Sequence, residues 1–111
     1  MLAVLKKARE KIEKGWTQLA YARRPDGTVV HSNHGDANCW CLSGAIDCAY
    51  KELELDDRST LSSGAYRAVY DTIVQENHVD TIAEWNDRPG RTVEQVLAVL
   101  DRTISDLEPK E

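Results

Sequence analysis

The strongest constraint on the fold is an apolar stripe at helical spacing near the end of the chain. Apolar residues recur every three or four positions from Val93 to Leu107, and most positions between them are polar or charged. Thr92, followed three residues later by Gln95, has the pattern of a capping box, in which side chains satisfy the first N–H groups of a helix. We therefore predict an amphipathic helix that begins after Thr92 and ends before Pro109. A helix with a single apolar stripe needs a core to cover it.

Four more segments carry helix signals, either apolar residues at three- or four-residue spacing or a capping pattern. In the last of them Asp80 or Thr81 can cap the first turn, and Glu84 completes a capping box if Thr81 is the cap. The segment from Cys39 or Trp40 to about Leu53 is rich in small residues, which let another element approach closely. We therefore expect this helix to be central. The predicted helices run from about Leu2 to Lys14, from Cys39 or Trp40 to about Leu53, from about Ser59 to Gln75, and from Asp80 to about Asn86.

A turn signal separates the first two helices. Arg24-Pro-Asp-Gly27 combines the fixed φ of proline with the freedom of glycine, and apolar residues flank it on both sides. We predict a short β-hairpin here, followed by a polar surface loop from His31 to Asn38. The predicted fold class is mainly α (α+β), a compact bundle of about four to five helices with one short β-hairpin.

Composition restricts the class of protein. The chain has 111 residues, 41% of them apolar and 30% charged, which predicts a single globular domain over residues 1–111. The net charge of −5 arises from acidic and basic residues mixed along the chain, so we expect no nucleic-acid partner. No apolar run approaches the roughly 20 residues of a membrane helix, and the first apolar residues are too few for a signal peptide. We expect a cytoplasmic protein with no membrane partner.

Cysteine chemistry is the first candidate for an activity. Cys41 falls near the start of the second predicted helix, where free backbone N–H groups favour the thiolate form of a cysteine. His78 and Asn86 follow in the order Cys, His, Asn that several thiol hydrolases use. The competing interpretation is architectural, with a buried Cys41, a loop His78 and a capping Asn86. We expect no catalytic residues and keep the Cys41–His78–Asn86 hydrolase as the alternative.

A metal site is the second chemical alternative. His31, His34, Cys39 and Cys41 place four metal-binding side chains within eleven residues. A single residue separates the two cysteines, whereas zinc sites usually space paired ligands by two to four residues. With Cys48 the chain has three cysteines, and this odd number predicts reduced thiols rather than disulfides. We therefore expect no cofactor, with a metal- or ligand-binding loop as the alternative.

Aromatic residues are candidates for a binding surface. The chain has three tryptophans and no phenylalanine, so we expect Trp16 and Trp85 to fill the core, while Trp40 is open to either interpretation. Tyr66 and Tyr70 lie four residues apart and share one face of a predicted helix. That face is either the edge of the core or an exposed recognition patch. We include Trp40, Tyr66 and Tyr70 among the predicted binding residues.

Two arginines complete the predicted binding set. Arg88 and Arg91 flank the Pro-Gly turn that precedes the last helix. An anion beside the helix start at Thr92 would meet free backbone N–H groups as well as these two side chains. The competing interpretation is a pair of solvated arginines, or one arginine bonded to Asp87.

Three short motifs in a fixed order resemble those of a known family. They are Trp40-Cys-Leu-Ser-Gly-Ala45, Ile82-Ala-Glu-Trp-Asn-Asp87 and Gly90-Arg-Thr-Val-Glu-Gln-Val-Leu97. The combination resembles an uncharacterised family of small bacterial and bacteriophage proteins marked by Trp-Cys-x-x-Gly-Ala, Trp-Asn-Asp and Gly-Arg-Thr. The resemblance spans roughly Trp16 to Asp101 and implies no activity. Its pattern includes Cys41 but omits Cys39, both loop histidines and His78, which weighs against the metal site and the hydrolase.

These observations lead to one expected function and two alternatives. We expect a non-enzymatic accessory protein that acts by protein–protein binding. Its concrete version is a phage-encoded inhibitor of a bacterial defence system, such as an anti-CRISPR. The alternatives are a cysteine-dependent hydrolase that uses Cys41 and a small metal- or ligand-binding module at the loop from His31 to Cys41.

Overall fold

The computed structural model describes residues 2–54, 64–76 and 79–108. These residues form five helices and a small sheet of three two-residue strands, which confirms the mainly α class with a short hairpin. None of the described helices is long and apolar enough to cross a bilayer. In chain order the elements are α1 Leu2–Lys14, β1 Ala22–Arg23, β2 Val29–Val30, β3 Cys39–Trp40, α2 Leu42–Glu52, α3 Gly64–Glu76, α4 Ile82–Asp87 and α5 Val93–Leu107.

Helix α1 has the bounds that its apolar spacing predicts. Its buried face, which includes Leu5 and Ile12, packs against α2 and α5. Helix α3 packs against α5 and α4, and α2 also contacts α4. The core therefore lies between the helices, and the small sheet covers the ends of α1 and α2. The first predicted residues of α3, from Ser59, lie outside the described residues.

The sheet has the strand order β2-β1-β3, and both pairs are antiparallel. The β1–β2 hairpin closes around the predicted turn, where Gly27 adopts a φ of 91° that favours glycine. Strand β3 was not predicted. Cys39 and Trp40 pair with β1 instead of starting a helix, so α2 begins at Leu42 and the predicted start at Cys39 or Trp40 is wrong. Pairing with a distant strand outweighs the local helical spacing at these two residues.

Side-chain caps fix the starts of the last two helices. Thr81 caps α4, and the Glu84 carboxylate accepts from the N–H of Asp80 rather than from that of Thr81. Thr92 and Gln95 form the complete predicted capping box at the start of α5. These bonds satisfy donors that would otherwise lack a partner at the helix ends.

Candidate functional site

Asn86 lies at a node where three parts of the chain meet. Its fully buried side chain accepts, at Oδ1, from the indole N–H of Trp16 at 2.8 Å and from the backbone N–H of Leu42 at 3.0 Å. Its Nδ2 donates to the Thr17 carbonyl at 3.2 Å and to the Asp87 carboxylate at 3.0 Å. Both lone-pair sites and both N–H groups of the amide are thus used. Asn86 joins the end of α4 to the α1–β1 connection and to the start of α2.

Cys41 is the N-cap of α2 rather than a residue of its first turn. Its Sγ accepts from the Gly44 N–H at 3.3 Å, and the residue is only 4% exposed. Burial raises the pKa of this thiol to about 11, and the charge of Asp87 acts in the same direction. The hydrogen bond from Gly44 opposes the shift but is the smaller effect. The expectation that the helix start lowers this pKa is therefore wrong, and the thiol carries its proton at neutral pH.

The structure gives the proposed hydrolase residues other roles. The Asn86 amide already accepts two hydrogen bonds and donates two within the node, so it has no group left to orient an imidazole. A protonated, buried Cys41 is a poor nucleophile. His78 lies outside the described residues, and a Cys41–His78–Asn86 arrangement stays a prediction.

The loop residues that suggested a metal site do not converge. His34 Nδ1 accepts from the N–H of Asp36 at 3.0 Å, and Cys39 Sγ lies 3.9 Å from the Arg23 carbonyl oxygen. Within the part of the chain that the structure describes, which includes all four predicted ligands, no three His, Cys, Asp or Glu side chains are grouped as a metal would require. The predicted set of His31, His34, Cys39 and Cys41 is therefore not assembled in this fold.

The three tryptophans divide differently from the prediction. Trp85 is buried as expected, but Trp16 is half-buried and directs its N–H to Asn86. Trp40 is also buried, donates to the Ser32 carbonyl at 2.8 Å and lies under the ammonium of Lys11. The structure therefore places Trp40 in the core, not on a binding surface.

Two concavities meet at a pair of tyrosines on the surface. One, of about 610 Å³, lies between the hairpin and α2, and the other, of about 430 Å³, lies between α3 and the start of α4. Tyr21 and Tyr66 line both of them, Val29 lines the first, and Tyr70 and Ile82 line the second. We call these five residues the tyrosine surface. The sequence analysis predicted Tyr66 and Tyr70 as binding residues but missed Tyr21. The position of Tyr21 next to the predicted hairpin could have indicated it.

The tyrosine surface combines fixed and exposed side chains. The Tyr66 ring stacks on Tyr50 with centroids 6.1 Å apart, and its hydroxyl lies 3.4 Å from the Ser43 carbonyl oxygen. Tyr70 donates its hydroxyl to the Val79 carbonyl at 3.3 Å. By contrast, the exposed fraction of Tyr21 is 59%. A rigid aromatic floor beside an exposed aromatic side chain is an arrangement typical of binding surfaces.

Gly44 explains how Tyr21 reaches this position. The Tyr21 carbonyl accepts from the Cys41 N–H at 3.2 Å, which holds the chain before β1 against the first turn of α2. A Cβ atom on Gly44 would overlap that same carbonyl oxygen. Glycine at this position therefore permits the close approach of the two backbones.

Of the two predicted arginines, Arg91 is held against Trp85. Arg91 lies over the Trp85 ring with its Cζ 3.9 Å from the ring centroid, and it donates Nε to the Trp85 carbonyl at 2.9 Å. Burial, and then the nearby charge of Arg88, lower its pKa. Thr92 and Gln95 bond to each other at the helix start, so the N–H groups of these two residues already have acceptors. An anion held by Arg88 and Arg91 beside Thr92 stays a prediction.

A comparison with known families matches most of the chain. Family DUF6197, a family of unknown function, matches residues 1–106. The chain belongs to this family. No curated protein and no solved structure matches the chain. In this member of DUF6197, Gly44 provides a backbone approach, Asn86 forms the node, and Arg91 covers Trp85.

Proposed function

We propose that the chain acts by binding another protein at the tyrosine surface, without chemistry of its own. The proposal rests on one observation: Tyr21 and Tyr66 line two neighbouring concavities at once. A partner that crosses both would cover the exposed ring of Tyr21 from either side. Tyrosine is favoured at such positions because it offers a large contact area at a small cost in side-chain entropy.

Exposed apolar side chains near the hairpin support the same surface. Leu19, Tyr21 and Val29 are 76%, 59% and 58% exposed, and they lie within eleven residues of one another along the chain. Single exposed apolar residues are common, but three within and just before one hairpin favour a contact site.

The edge of the sheet supports an extended partner segment. Strand β2 is at the edge, and Val29 is opposite Arg23 in the antiparallel register. The neighbouring bond from Arg24 N–H to the Thr28 carbonyl makes the Val29–Arg23 pair a non-hydrogen-bonded one. The N–H and C=O of Val29 therefore face away from β1, where an extended peptide can bond to them. We propose a partner segment with apolar or proline residues over Tyr21 and its backbone beside β2.

A displayed library of random twelve-residue peptides tests this proposal. We expect selected peptides to share an apolar or proline-rich consensus and to bind the purified chain in fluorescence anisotropy. Tyr21→Ala should weaken that binding at least about tenfold, as truncation of a hot-spot aromatic does. The matched control is Val74→Ala, which shortens another exposed apolar side chain, on α3.

Two results would count against the tyrosine surface. One is a selection without any consensus, and the other is equal loss of binding in Tyr21→Ala and Val74→Ala. Sedimentation of the free chain tests whether a second copy of the chain binds the tyrosine surface instead. Self-association that is lost in Tyr21→Ala would assign the surface to that second copy.

Inhibition of a bacterial defence system is the concrete version of this proposal. The resemblance of the motifs to small bacteriophage proteins and the acidic, compact chain support it. Expression of the chain in bacteria whose CRISPR system restricts a phage should restore plaque formation, and Tyr21→Ala should remove that effect. An unchanged plaque count with the native chain contradicts this version while the peptide selection still tests protein binding.

A further inference from the structure

A third cavity lies between α3, α4 and α5, and its charge is unlike that of the chain. It has a volume of about 420 Å³, within the range of small-molecule sites. Arg91 and Arg102 line it, and none of its described lining residues is Asp or Glu, although the chain carries a net charge of −5. Among the residues that the structure describes, none lines both this cavity and a concavity of the tyrosine surface. Its electrostatic environment favours a bound anion.

Trp85 supplies an independent indication of a ligand. It lines this cavity, it is 2% exposed, and its Nε1–H is buried without an acceptor among the described residues. A buried N–H without a partner is costly, and native structures rarely leave one in that state. The Nε1 atom itself has almost no solvent-accessible surface, so a ligand oxygen that moves the cavity wall slightly aside would provide the missing acceptor.

The guanidinium of Arg91 is held in an orientation that suits an acceptor with two oxygens. Stacking on Trp85 and the bond from Nε to the Trp85 carbonyl fix the plane of the guanidinium, and Nη1 lies 3.3 Å from the Gln95 side-chain oxygen. The N–H groups on Nη2 have no acceptor within the described ranges. A guanidinium fixed in this way pays little entropy to bind a carboxylate with its planar fork.

We infer that this cavity binds a small organic carboxylate. Its carboxylate group would bond to Arg91 and to the Trp85 N–H, with the charge of Arg102 nearby. The body of the ligand would contact Ala98 and Val99, whose apolar side chains also line the cavity. Because these apolar contacts add to the ionic ones, we expect an organic acid to bind better than inorganic phosphate. This binding activity is separate from the proposed protein contact.

Titration of the ¹⁵N-labelled chain with sodium benzoate tests the inference. The chain has three tryptophans, so the indole N–H region of the NMR spectrum is simple, and Trp85→Phe assigns the relevant signal. We expect benzoate to shift the Trp85 signal to saturation and the neutral isostere benzamide to leave it in place. Arg91→Gln should weaken benzoate binding at least about tenfold, since it removes a charge-assisted bond.

Arg88→Gln is the matched control, because it removes the same charge from a residue that does not line the cavity. Its charge is near Arg91 but outside the cavity, so this change should weaken benzoate binding by less than about threefold. Ala98→Phe is a second variant that fills the cavity and leaves Arg91 and Trp85 intact, and it should abolish the shift even if Arg91→Gln does not fold. The inference is overturned by any of four results: no saturable shift with benzoate, an equal shift with benzamide, equally tight binding of phosphate, or equal weakening by Arg88→Gln.

Discussion

The indole N–H of Trp16 donates to Oδ1 of Asn86 at 2.8 Å across 70 positions of sequence. The same oxygen accepts from the first backbone N–H of α2, at Leu42. One buried amide thus holds the end of α1 and the start of α2 against α4. The Trp-Asn-Asp motif has an architectural role here, because Asp87 accepts from Asn86 and from the Leu19 N–H.

Removal of the Asn86 side chain should strongly destabilise the fold. Asn86→Ala leaves the N–H groups of Trp16 and Leu42 and the Thr17 carbonyl without their partner. At about 1–3 kcal/mol for each buried polar group left unsatisfied, we expect the free energy of unfolding to fall by at least about 3 kcal/mol. Urea unfolding measures this loss. Asn33→Ala, at an exposed asparagine, should change it by less than about 0.5 kcal/mol.

Asn86→Asp separates the acceptor bonds from the donor bonds. A carboxylate can still accept from Trp16 and Leu42, but it cannot donate to the Thr17 carbonyl and it faces Asp87. We expect the variant to be unstable at neutral pH and to recover stability in acid, where its carboxyl is protonated. Equal stability of Asn86→Asp and the native chain at pH 7 would contradict the role of the two donor bonds.

Gly44→Ala has two opposing effects on stability, a gain in helix propensity and an overlap with the backbone. Alanine gains about 1 kcal/mol over glycine inside a helix, but its Cβ would meet the Tyr21 carbonyl. Because backbone atoms cannot move aside cheaply, we expect a net loss of about 2 kcal/mol in the free energy of unfolding. Gly35→Ala is the control, since no atom of the described part of the chain lies within 4 Å of its Cβ position. A Gly44→Ala chain as stable as the control would show that the approach of Tyr21 can relax.

A pair of buried hydroxyls couples α3 to α5. The Oγ1 atoms of Thr72 and Thr103 are 2.8 Å apart, and each also lies within bonding distance of a carbonyl of its own helix. Each single Thr→Val change should cost about 1 kcal/mol, and the double change should cost less than the sum by at least about 0.5 kcal/mol. A double-mutant cycle by urea unfolding measures this coupling, and strict additivity would contradict the shared bond.

Alkaline pH should destabilise the chain through Cys41. An unfolded thiol with the usual pKa of 9.0 ionises first, while the folded thiol keeps its proton until about pH 11. Between these values the unfolded state has bound fewer protons, so the free energy of unfolding falls as pH rises. The full loss is about 3 kcal/mol, and it is absent below pH 9.

Unfolding of the native chain and of Cys41→Ser across pH 8 to 11 checks this dependence. Serine keeps a capping oxygen at the start of α2 but does not titrate in this range. The native chain should therefore lose stability relative to Cys41→Ser as pH rises. Cys39→Ser, at a half-buried cysteine, controls for the loss of a thiol elsewhere in the chain. Parallel curves for the native chain and Cys41→Ser would contradict the raised pKa.

Short-range patterns were sufficient for much of the helical structure. The bounds of α1, the capping box at Thr92 and the turn before Gly27 follow from contacts between residues at most four apart. Hydrogen bonds and apolar spacing of this range are encoded in consecutive residues, which is why they are visible in the sequence by itself.

Tertiary structure alone decided what the motif residues do. Cys39 and Trp40 became a strand because β1 offers them partners that lie far away in sequence. Asn86 and Cys41 looked like reactive groups, but burial and distant hydrogen bonds turned one into a structural node and the other into a helix cap. Burial and long-range pairing depend on which segments meet in space, and the local order of residues does not specify that.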